Sequence, residues 1–416
     1  MTTHLGVKRA MLVGVFALAL LLRGAALDRD AGYTGDEPMH VLNASEYAER
    51  GQLAPDHWYH PPLKHLVTYA TIRIAGDNPY GWRSANVAFG AASVALSFLL
   101  ADALLGSSVA ALVAALLLAM DPLHLLLSRS TFEEIRAVFF VLLGQLLAVR
   151  YWRSGSRAAL VLCGAAFGAA VAFKTYTVVL LVALAAALGT AAVRRRRPGE
   201  LLDVVTALIL VPFAVYLAAF APWFHRGYGL GEWLVHQRWA FVEASTAAAE
   251  RFDPMLLRLD HPAGWFVRPL GIAVPVPSPS TRFLLLSNDL PVWALVLPSL
   301  ALALWDGVRE RRWELLALPA AFAAAYVPLL LAPRPIFLYS SLVPLPFGFL
   351  AVGYAAQRVL GRRAVAFAAV AVAWGLYLYP LAVGAPVAPE RYAPVLRWVE
   401  VLGHDPEAQR GDPGVQ

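Results

Sequence analysis

Eleven apolar runs, each close to the length of a membrane span, dominate this sequence. A helix needs roughly 20 apolar residues to cross the hydrocarbon core of a bilayer. Hydrophobic residues make up 59% of the chain and charged residues 15%, below the about 25% usual in soluble domains. The sequence therefore predicts an all-α polytopic membrane protein with about 11 transmembrane helices, at about 10–27, 85–105, 108–127, 132–149, 158–173, 175–193, 201–222, 286–304, 314–332, 336–356 and 364–384.

The first run could also be a targeting segment. It follows Lys8 and Arg9 and ends in two alanines, as a secretory signal peptide does. Because further spans follow it, we expect an uncleaved anchor. The single cysteine, Cys163, lies within another apolar run and can form no internal disulfide.

The arginines predict the orientation of the chain. If the amino terminus is cytoplasmic, every arginine cluster falls on the cytoplasmic side, as the positive-inside rule requires. The loop 28–84 on the opposite side has eight acidic residues against five basic ones. We therefore interpret the net charge of +6 as a topology signal and a contact for anionic lipid headgroups, and not as a nucleic-acid surface. The clusters lie at 150–157, 194–197, 309–312 and 358–363.

Two long loops share the side opposite the arginines, at 28–84 and 223–285. Helix-like spacing at 38–50, 62–75 and 230–252 predicts interfacial helices within them. We expect one transmembrane domain over 1–384, and a polar tail on the same outer side over 385–416. Prolines at 275, 277 and 279 predict an extended connector.

Titratable residues gather in the first of these loops. Asp36 and Glu37 follow a glycine at the start of a helix-like segment, where they could cap the helix or serve as a base and its neighbour. His60 and Lys64 flank a Pro-Pro pair that fixes the backbone between them. That motif could be a rigid turn with a snorkelling lysine, or it could bind a lipid phosphate.

A second group of charges lies between the third and fourth runs. Arg129, Glu133, Glu134 and Arg136 are on the outer side, against the general arginine asymmetry. Their helical spacing allows internal salt bridges, of Arg129 with Glu133 and of either glutamate with Arg136. They could equally line a polar site.

Three further outer-side residues extend the candidate site. Lys174 separates two apolar runs, Arg334 lies between two prolines, and His261 precedes Pro262 and Trp265. Snorkelling is the simple explanation for Lys174. Several cations converging on one cavity would instead create an anion site suited to phosphate.

Taken in order, these motifs resemble the protein O-mannosyltransferase family of GT-C-type, polyprenyl-phosphate-sugar-dependent glycosyltransferases. The resemblance rests on six segments spread over most of the chain: Asp36-Glu37, His60 to Leu63, Ser128-Arg129 with Glu134 five residues later, Gly168 to Lys174, His261 to Pro269, and Arg334 to Phe347.

The chain departs from the family pattern at two points. Glu134 stands where the family usually has aspartate, and the soluble domain that eukaryotic members insert in an outer loop is missing, as expected for a prokaryotic form. Related transferases that add aminoarabinose to lipid A share the Asp-Glu pair but have lysine at the first position of the Pro-Pro motif. His60 favours the protein-mannosyltransferase side.

The resemblance implies a GT-C fold and an inverting transfer of a monosaccharide, mannose in that family, from a polyprenyl- or dolichyl-phosphate carrier to a Ser or Thr hydroxyl. It implies a site on the outer face of a prokaryotic plasma membrane. Asp36 would be the general base, with Glu37 supporting it. Lys64, Arg129 and Arg334 would bind the donor phosphate, Glu134 and Lys174 would belong to the donor site, and His60 and His261 would shape the sugar or acceptor site.

Two alternatives remain open at this stage. The same chemistry could act on a lipid or cell-envelope glycan, or the chain could transport a lipid-linked substrate. Transporters bind near the bilayer midplane between repeated halves, whereas these charges gather at span ends and no halves repeat. We expect no required cofactor, although Asp36, Glu37 and a nearby histidine could hold a divalent cation.

Overall fold

The computed structural model describes residues 2–28, 37–51, 61–243, 261–275, 282–332 and 336–401. Helices dominate this part of the chain. They are α1 Thr2–Gly24, α2 Glu37–Arg50, α3 Leu63–Ala75, α4 Pro79–Leu105, α5 Ser108–Met120, α6 Pro122–Ser128, α7 Glu133–Ser154, α8 Arg157–Phe173, α9 Val178–Arg194, α10 Pro198–Val205, α11 Val211–Ala218, α12 Ala221–His225, α13 Leu230–Arg238, α14 Leu290–Trp293, α15 Val296–Glu310, α16 Trp313–Leu330, α17 Leu345–Leu360, α18 Ala364–Ala382 and α19 Pro389–Leu396.

The predicted apolar runs lie mostly in helices or chains of helices, while the predicted count of about 11 spans stays a prediction. Within the described ranges, seven helical segments are long and apolar enough to cross a membrane, or up to eight if the bent pair α5–α6 counts as one span. The protein is therefore an integral membrane protein. The predicted loop helices at 38–50 and 62–75 are present as α2 and α3. In the second loop, α13 continues into the π-helix Trp239–Glu243, and 244–252 lies outside the described residues.

Capping residues set the ends of the helices that carry the site. Asn78 accepts hydrogen bonds from the backbone of Tyr80 and Gly81 and thereby begins α4. Asp121 ends α5 and caps α6 through the backbone N–H of His124, and the two helices meet at a bend of 61°. The same bend leaves carbonyl groups near the end of α5 for other partners.

A small sheet was not predicted. Strands β1 Gly271–Pro275 and β2 Phe283–Ser287 pair antiparallel, and β3 Glu400–Val401 pairs parallel with β1, giving the order β2-β1-β3. The predicted span at 286–304 therefore begins in a strand and becomes helical only at Leu290. The described start of the predicted tail is ordered too, since α19 packs beside the sheet through Tyr392 and Val395.

Candidate active site

The structure describes six of the nine predicted site residues. Asp36, His60 and Arg334 lie outside the described residues. Glu37, Lys64, Arg129, Glu134, Lys174 and His261 are described. All except His261 lie in one largely buried region, where α1, α6 and α8 end and α2, α3, α4 and α7 begin. We refer to the residues Glu37, His40, Lys64, Arg83, Asn86, Arg129, Glu133, Glu134, Arg136 and Lys174 as the polar cluster.

Glu37 forms a buried, two-point ion pair with Arg83. It is the first residue of α2, and Arg83 lies in the second turn of α4. Nε and Nη2 of Arg83 donate to Oε1 and Oε2 of Glu37 at 2.8 and 2.7 Å. Nη1 of Arg83 also donates to the carbonyl oxygen of Leu27 at 3.0 Å. The residue directly after Asp36 is therefore held rigidly to the bundle.

Lys64 lies inside the cluster and does not snorkel. Its side chain is 5% exposed, and its Nζ lies 3.3 Å from Nε2 of His40 and 3.6 Å from a carboxylate oxygen of Glu133. His40 follows Glu37 by one helical turn, so α2 carries both the acid and the histidine on one face. His40 thus links Lys64, the phosphate-binding candidate, to the helix that also carries Glu37.

Lys174 does not snorkel either. Its Nζ lies 2.7 Å from Glu134 and 3.2 Å from Glu133, and its side chain is 13% exposed. It also lies 5.6 Å from the ring centroid of Tyr339. Burial would lower the pKa of Lys174, but the carboxylates of Glu133 and Glu134 raise this pKa well above its ordinary value. Lys174 is consequently charged and compensates the acidic start of α7.

Arg129 binds the end of the first helix. Its guanidinium donates to the carbonyl oxygens of Arg23, Ala25 and Ala26 at 2.9, 2.7 and 3.2 Å. Arg23 reaches in the opposite direction, donating to the carbonyls of Leu118 and Ala119, which the α5–α6 bend makes available, and to Ser128. The two arginines therefore fasten α1 to the segment that carries Arg129.

Arg136 anchors the backbone of α3 at Lys64. Its Nη1 donates to the carbonyl oxygen of Lys64 at 2.6 Å and its Nη2 to Oγ1 of Thr68 at 2.9 Å. Its Nε donates to Asn86 at 2.7 Å, and Asn86 donates in turn to the carbonyl of Phe132. Arg136 thus binds α3 and α4, which helical spacing within α7 did not suggest.

His261 stands apart from this arrangement. It is exposed, and its ring accepts a hydrogen bond from the backbone N–H of Ala263 at the start of the 3₁₀ turn Pro262–Gly264. That turn contacts α16 through a hydrogen bond from Tyr326 to the carbonyl of Pro262. The predicted role of His261 in the sugar or acceptor site stays a prediction.

Sequence reasoning assigned no role in the site to His40, Arg83 or Asn86. His40 could have been found from its position one helical turn after Glu37. Arg83 and Asn86 could have been found because they too are one helical turn apart, near the start of α4. Among the described residues, His, Cys, Asp and Glu side chains do not form a group of three or more suited to a metal ion.

Comparison with known proteins gives the same family as the motifs. Residues 59–218 match the family described as dolichyl-phosphate-mannose-protein mannosyltransferase. A polyprenol-phosphate-mannose–protein mannosyltransferase of Mycobacterium tuberculosis is 28% identical over 207 residues, covering 40% of this chain but only 38% of that protein. The Mycolicibacterium smegmatis protein of the same name is 24% identical over 410 residues, covering 79% of each chain.

Solved structures establish the fold. A chain of the S. cerevisiae protein O-mannosyltransferase Pmt1-Pmt2 complex bound to the sugar donor has a TM-score of 0.78 at 12% identity, covering 97% of this chain and 95% of that one. ArnT from Cupriavidus metallidurans bound to undecaprenyl phosphate has a TM-score of 0.58 at 17% identity, covering 90% and 63%. The chain has the GT-C fold, and the predicted resemblance to protein O-mannosyltransferases is confirmed.

Proposed function

We propose that this protein is an inverting glycosyltransferase that moves a monosaccharide, mannose, from a polyprenyl-phosphate carrier to a Ser or Thr hydroxyl of a protein. The observation that carries the proposal is the polar cluster, in which buried cations lie beside the residue that directly follows Asp36. The named relatives are mannosyltransferases that use polyprenol-phosphate-mannose, which supports this choice of donor.

The reaction needs a base for the acceptor. A hydroxyl is a weak nucleophile, and a positioned carboxylate that takes its proton lets it attack the anomeric carbon. We assign this role to Asp36. Glu37 is a positioning residue, because both of its oxygens are bound by Arg83 within the bundle.

The leaving group is a lipid phosphate whose negative charge grows during transfer, so fixed cations stabilise the transition state. We assign this role to Lys64 and Arg334, and also to Arg129, whose charge is held in place by the carbonyl groups at the end of α1. Lys174 instead balances Glu133 and Glu134, since it lies within 3.2 Å of both. Its contribution to the donor site is therefore to keep α7 and the charge around Lys64 in place.

The acceptor separates two versions of the proposal. Transfer onto a lipid or envelope glycan uses the same chemistry, and ArnT, which shares the fold, was solved with undecaprenyl phosphate. The sequence relatives are named protein mannosyltransferases, which supports the protein acceptor. Purified protein incubated with a panel of polyprenyl-phosphate sugars, followed by mass spectrometry, distinguishes a mannosylated Ser or Thr from a modified lipid.

The proposal includes a place in the cell. We propose a cytoplasmic amino terminus in the plasma membrane of a prokaryote, with the active site on the outer face, one domain over 1–384 and a tail over 385–416. The exposed arginine clusters and the buried polar cluster occupy opposite ends of the helices, which supports this orientation.

Asp36→Asn tests the central assignment. It should abolish transfer while leaving protein abundance and donor binding close to those of the wild type, because the substitution preserves size and removes only the base. Glu46→Gln, at an acidic residue beyond the polar cluster on α2, is the matched control and should stay active. Near-normal turnover of Asp36→Asn removes this residue from the role of base.

Lys64→Ala tests the cation assignment separately. It should mainly raise the apparent KM for the lipid donor, and an unchanged KM would reject the phosphate contact.

We also propose that no metal is required, since protein cations supply the positive charge. Activity should then survive EDTA treatment, and loss of activity that Mg²⁺ or Mn²⁺ restores would overturn this point.

A further inference from the structure

His40 is a buried histidine at the centre of the polar cluster, and the proposed reaction gives it no role so far. It is 3% exposed and lies one helical turn after Glu37. Charged or titratable neighbours come from two other helices: Lys64 and His65 on α3, and Glu133 and Arg136 on α7. A buried imidazole with these neighbours must have a defined protonation state.

Its hydrogen bonds assign that state. Nδ1 lies 3.2 Å from the carbonyl oxygen of Thr131, which can only accept, so Nδ1 carries the proton. Nε2 lies 3.3 Å from Nζ of Lys64 and 3.5 Å from Oε2 of Glu133. With the single proton of the neutral ring on Nδ1, Nε2 presents a lone pair, and Lys64, which can only donate, donates to it. Burial, reinforced by the positive charges of Lys64 and Arg136 and opposed by Glu133, lowers the pKa of His40 to about 3. The ring is therefore neutral at ordinary pH.

A neutral acceptor suits a lysine that must bind an anion. A carboxylate in the place of the imidazole would add a second negative charge beside the ammonium group, which already lies 3.6 Å from Glu133, whereas a neutral nitrogen fixes its direction without adding charge. His40 also connects α2 to the Thr131 backbone, just before the glutamates of α7. One side chain thus sets the position of the Lys64 ammonium relative to α2.

We propose that His40 is a positioning residue for the donor site, and that it directs the Lys64 ammonium toward the phosphate of the lipid-linked sugar. This inference rests on the proposed function for its substrate. It assigns no proton transfer to His40.

Two substitutions test the contacts of the two ring nitrogens separately. His40→Gln can place an oxygen near the position of Nε2 and still accept from Lys64. The shorter His40→Asn can keep a donor near the position of Nδ1 for Thr131 but loses the acceptor for Lys64. Asn43→Leu, a buried polar residue one turn further along α2 that donates to the carbonyl of Met39, is the matched control.

The measured quantities are KM for the donor, kcat, the pH–rate profile and the thermal unfolding midpoint. We expect His40→Asn to raise the donor KM about 10- to 100-fold with a much smaller change in kcat, as loss of a hydrogen bond to a charged group predicts. His40→Gln should restore KM to within about threefold of the wild type, and Asn43→Leu should leave KM unchanged. The pH–rate profile should keep both limbs in His40→Gln.

Three results would overturn the proposal. The first is an equal KM effect of His40→Asn and His40→Gln at similar unfolding midpoints, and the second is a fall in kcat with KM unchanged. The third is loss of one limb of the pH–rate profile in His40→Gln, which would mean that His40 transfers a proton.

Direct binding of undecaprenyl phosphate to the same variants separates this inference from the proposed function. Wild-type protein that binds this lipid but transfers no sugar contradicts the function, and weaker binding in His40→Asn alone still supports the role of His40.

Discussion

The two ends of the helical bundle use the same kinds of charged residue in opposite ways. At the end where α4 begins, Glu37 and Arg83 are 0% and 1% exposed and share two hydrogen bonds. At the end where α7 meets α8, Arg157 pairs with Asp203, and their side chains are 76% and 28% exposed. Burial and fixed partners, and not the presence of charge, therefore distinguish the candidate active site from the topology signal.

Burial has an energetic consequence. A buried ion pair gains from low dielectric surroundings but has lost the hydration of both ions, so removing one partner is costly. An exposed pair keeps most of its hydration and contributes about 0–1 kcal/mol. The buried end is accordingly rigid and able to orient reactive groups, whereas the exposed end can exchange its partners with lipid headgroups and water.

The largest expected effect comes from breaking the Glu37–Arg83 pair. Glu37→Gln removes the counter-charge that Glu37 provides and should destabilise the protein by about 3–5 kcal/mol. The double variant Glu37→Leu/Arg83→Met should recover part of this loss, because it removes both buried charges. Thermal unfolding in detergent measures both effects. A midpoint for Glu37→Gln equal to that of the wild type would contradict a structural role for the pair.

A smaller effect should appear when the pH is lowered. The pKa of His40 is about 3 in the folded protein, against an ordinary value of 6.5, so the unfolded chain binds the extra proton between these values. Stability from this group is therefore present above pH 6.5 and is lost as pH falls toward 3. At pH 5 the loss from His40 should be about 2 kcal/mol.

His40→Gln tests the assignment, since glutamine does not titrate. The variant should lose less stability than the wild type between pH 7.5 and pH 5, when unfolding is followed in the same detergent. Glu133, which raises the pKa of His40, and Lys64 and Arg136, which lower it, remain in both proteins. An identical pH dependence in the two proteins would show that His40 is not the acid-sensitive group.

The sequence predicted the helices well because hydropathy alone determines which runs can enter a bilayer. It predicted the break at Lys174 because charge interrupts an apolar run, and α8 does end at Phe173. It missed the strand at Phe283–Ser287, since a short apolar run next to a span has no period that separates it from a helix.

The pairings within the polar cluster could not be predicted, for a different reason. Helical spacing suggests only neighbours on one helix, so it predicted a salt bridge between Arg136 and one of the glutamates of α7. In the structure Arg136 donates to Lys64 and Thr68 on α3 and to Asn86 on α4, 50 to 72 positions away in the chain. Such contacts depend on how the helices pack, which periodicity within one segment does not encode.

The smallest expected effect comes from the exposed end. Arg157→Ala removes the partner of Asp203 and should change stability by less than about 1 kcal/mol, with the difference shrinking further at high salt. Activity with the lipid-linked donor should stay near that of the wild type, because the substitution leaves the polar cluster untouched. Unfolding midpoints at low and high salt, together with turnover, provide the measurement. A loss of stability as large as that of Glu37→Gln would mean that the exposed ion pair stabilises the fold as much as the buried one. The contrast in burial between the two ends would then no longer explain where the active site lies.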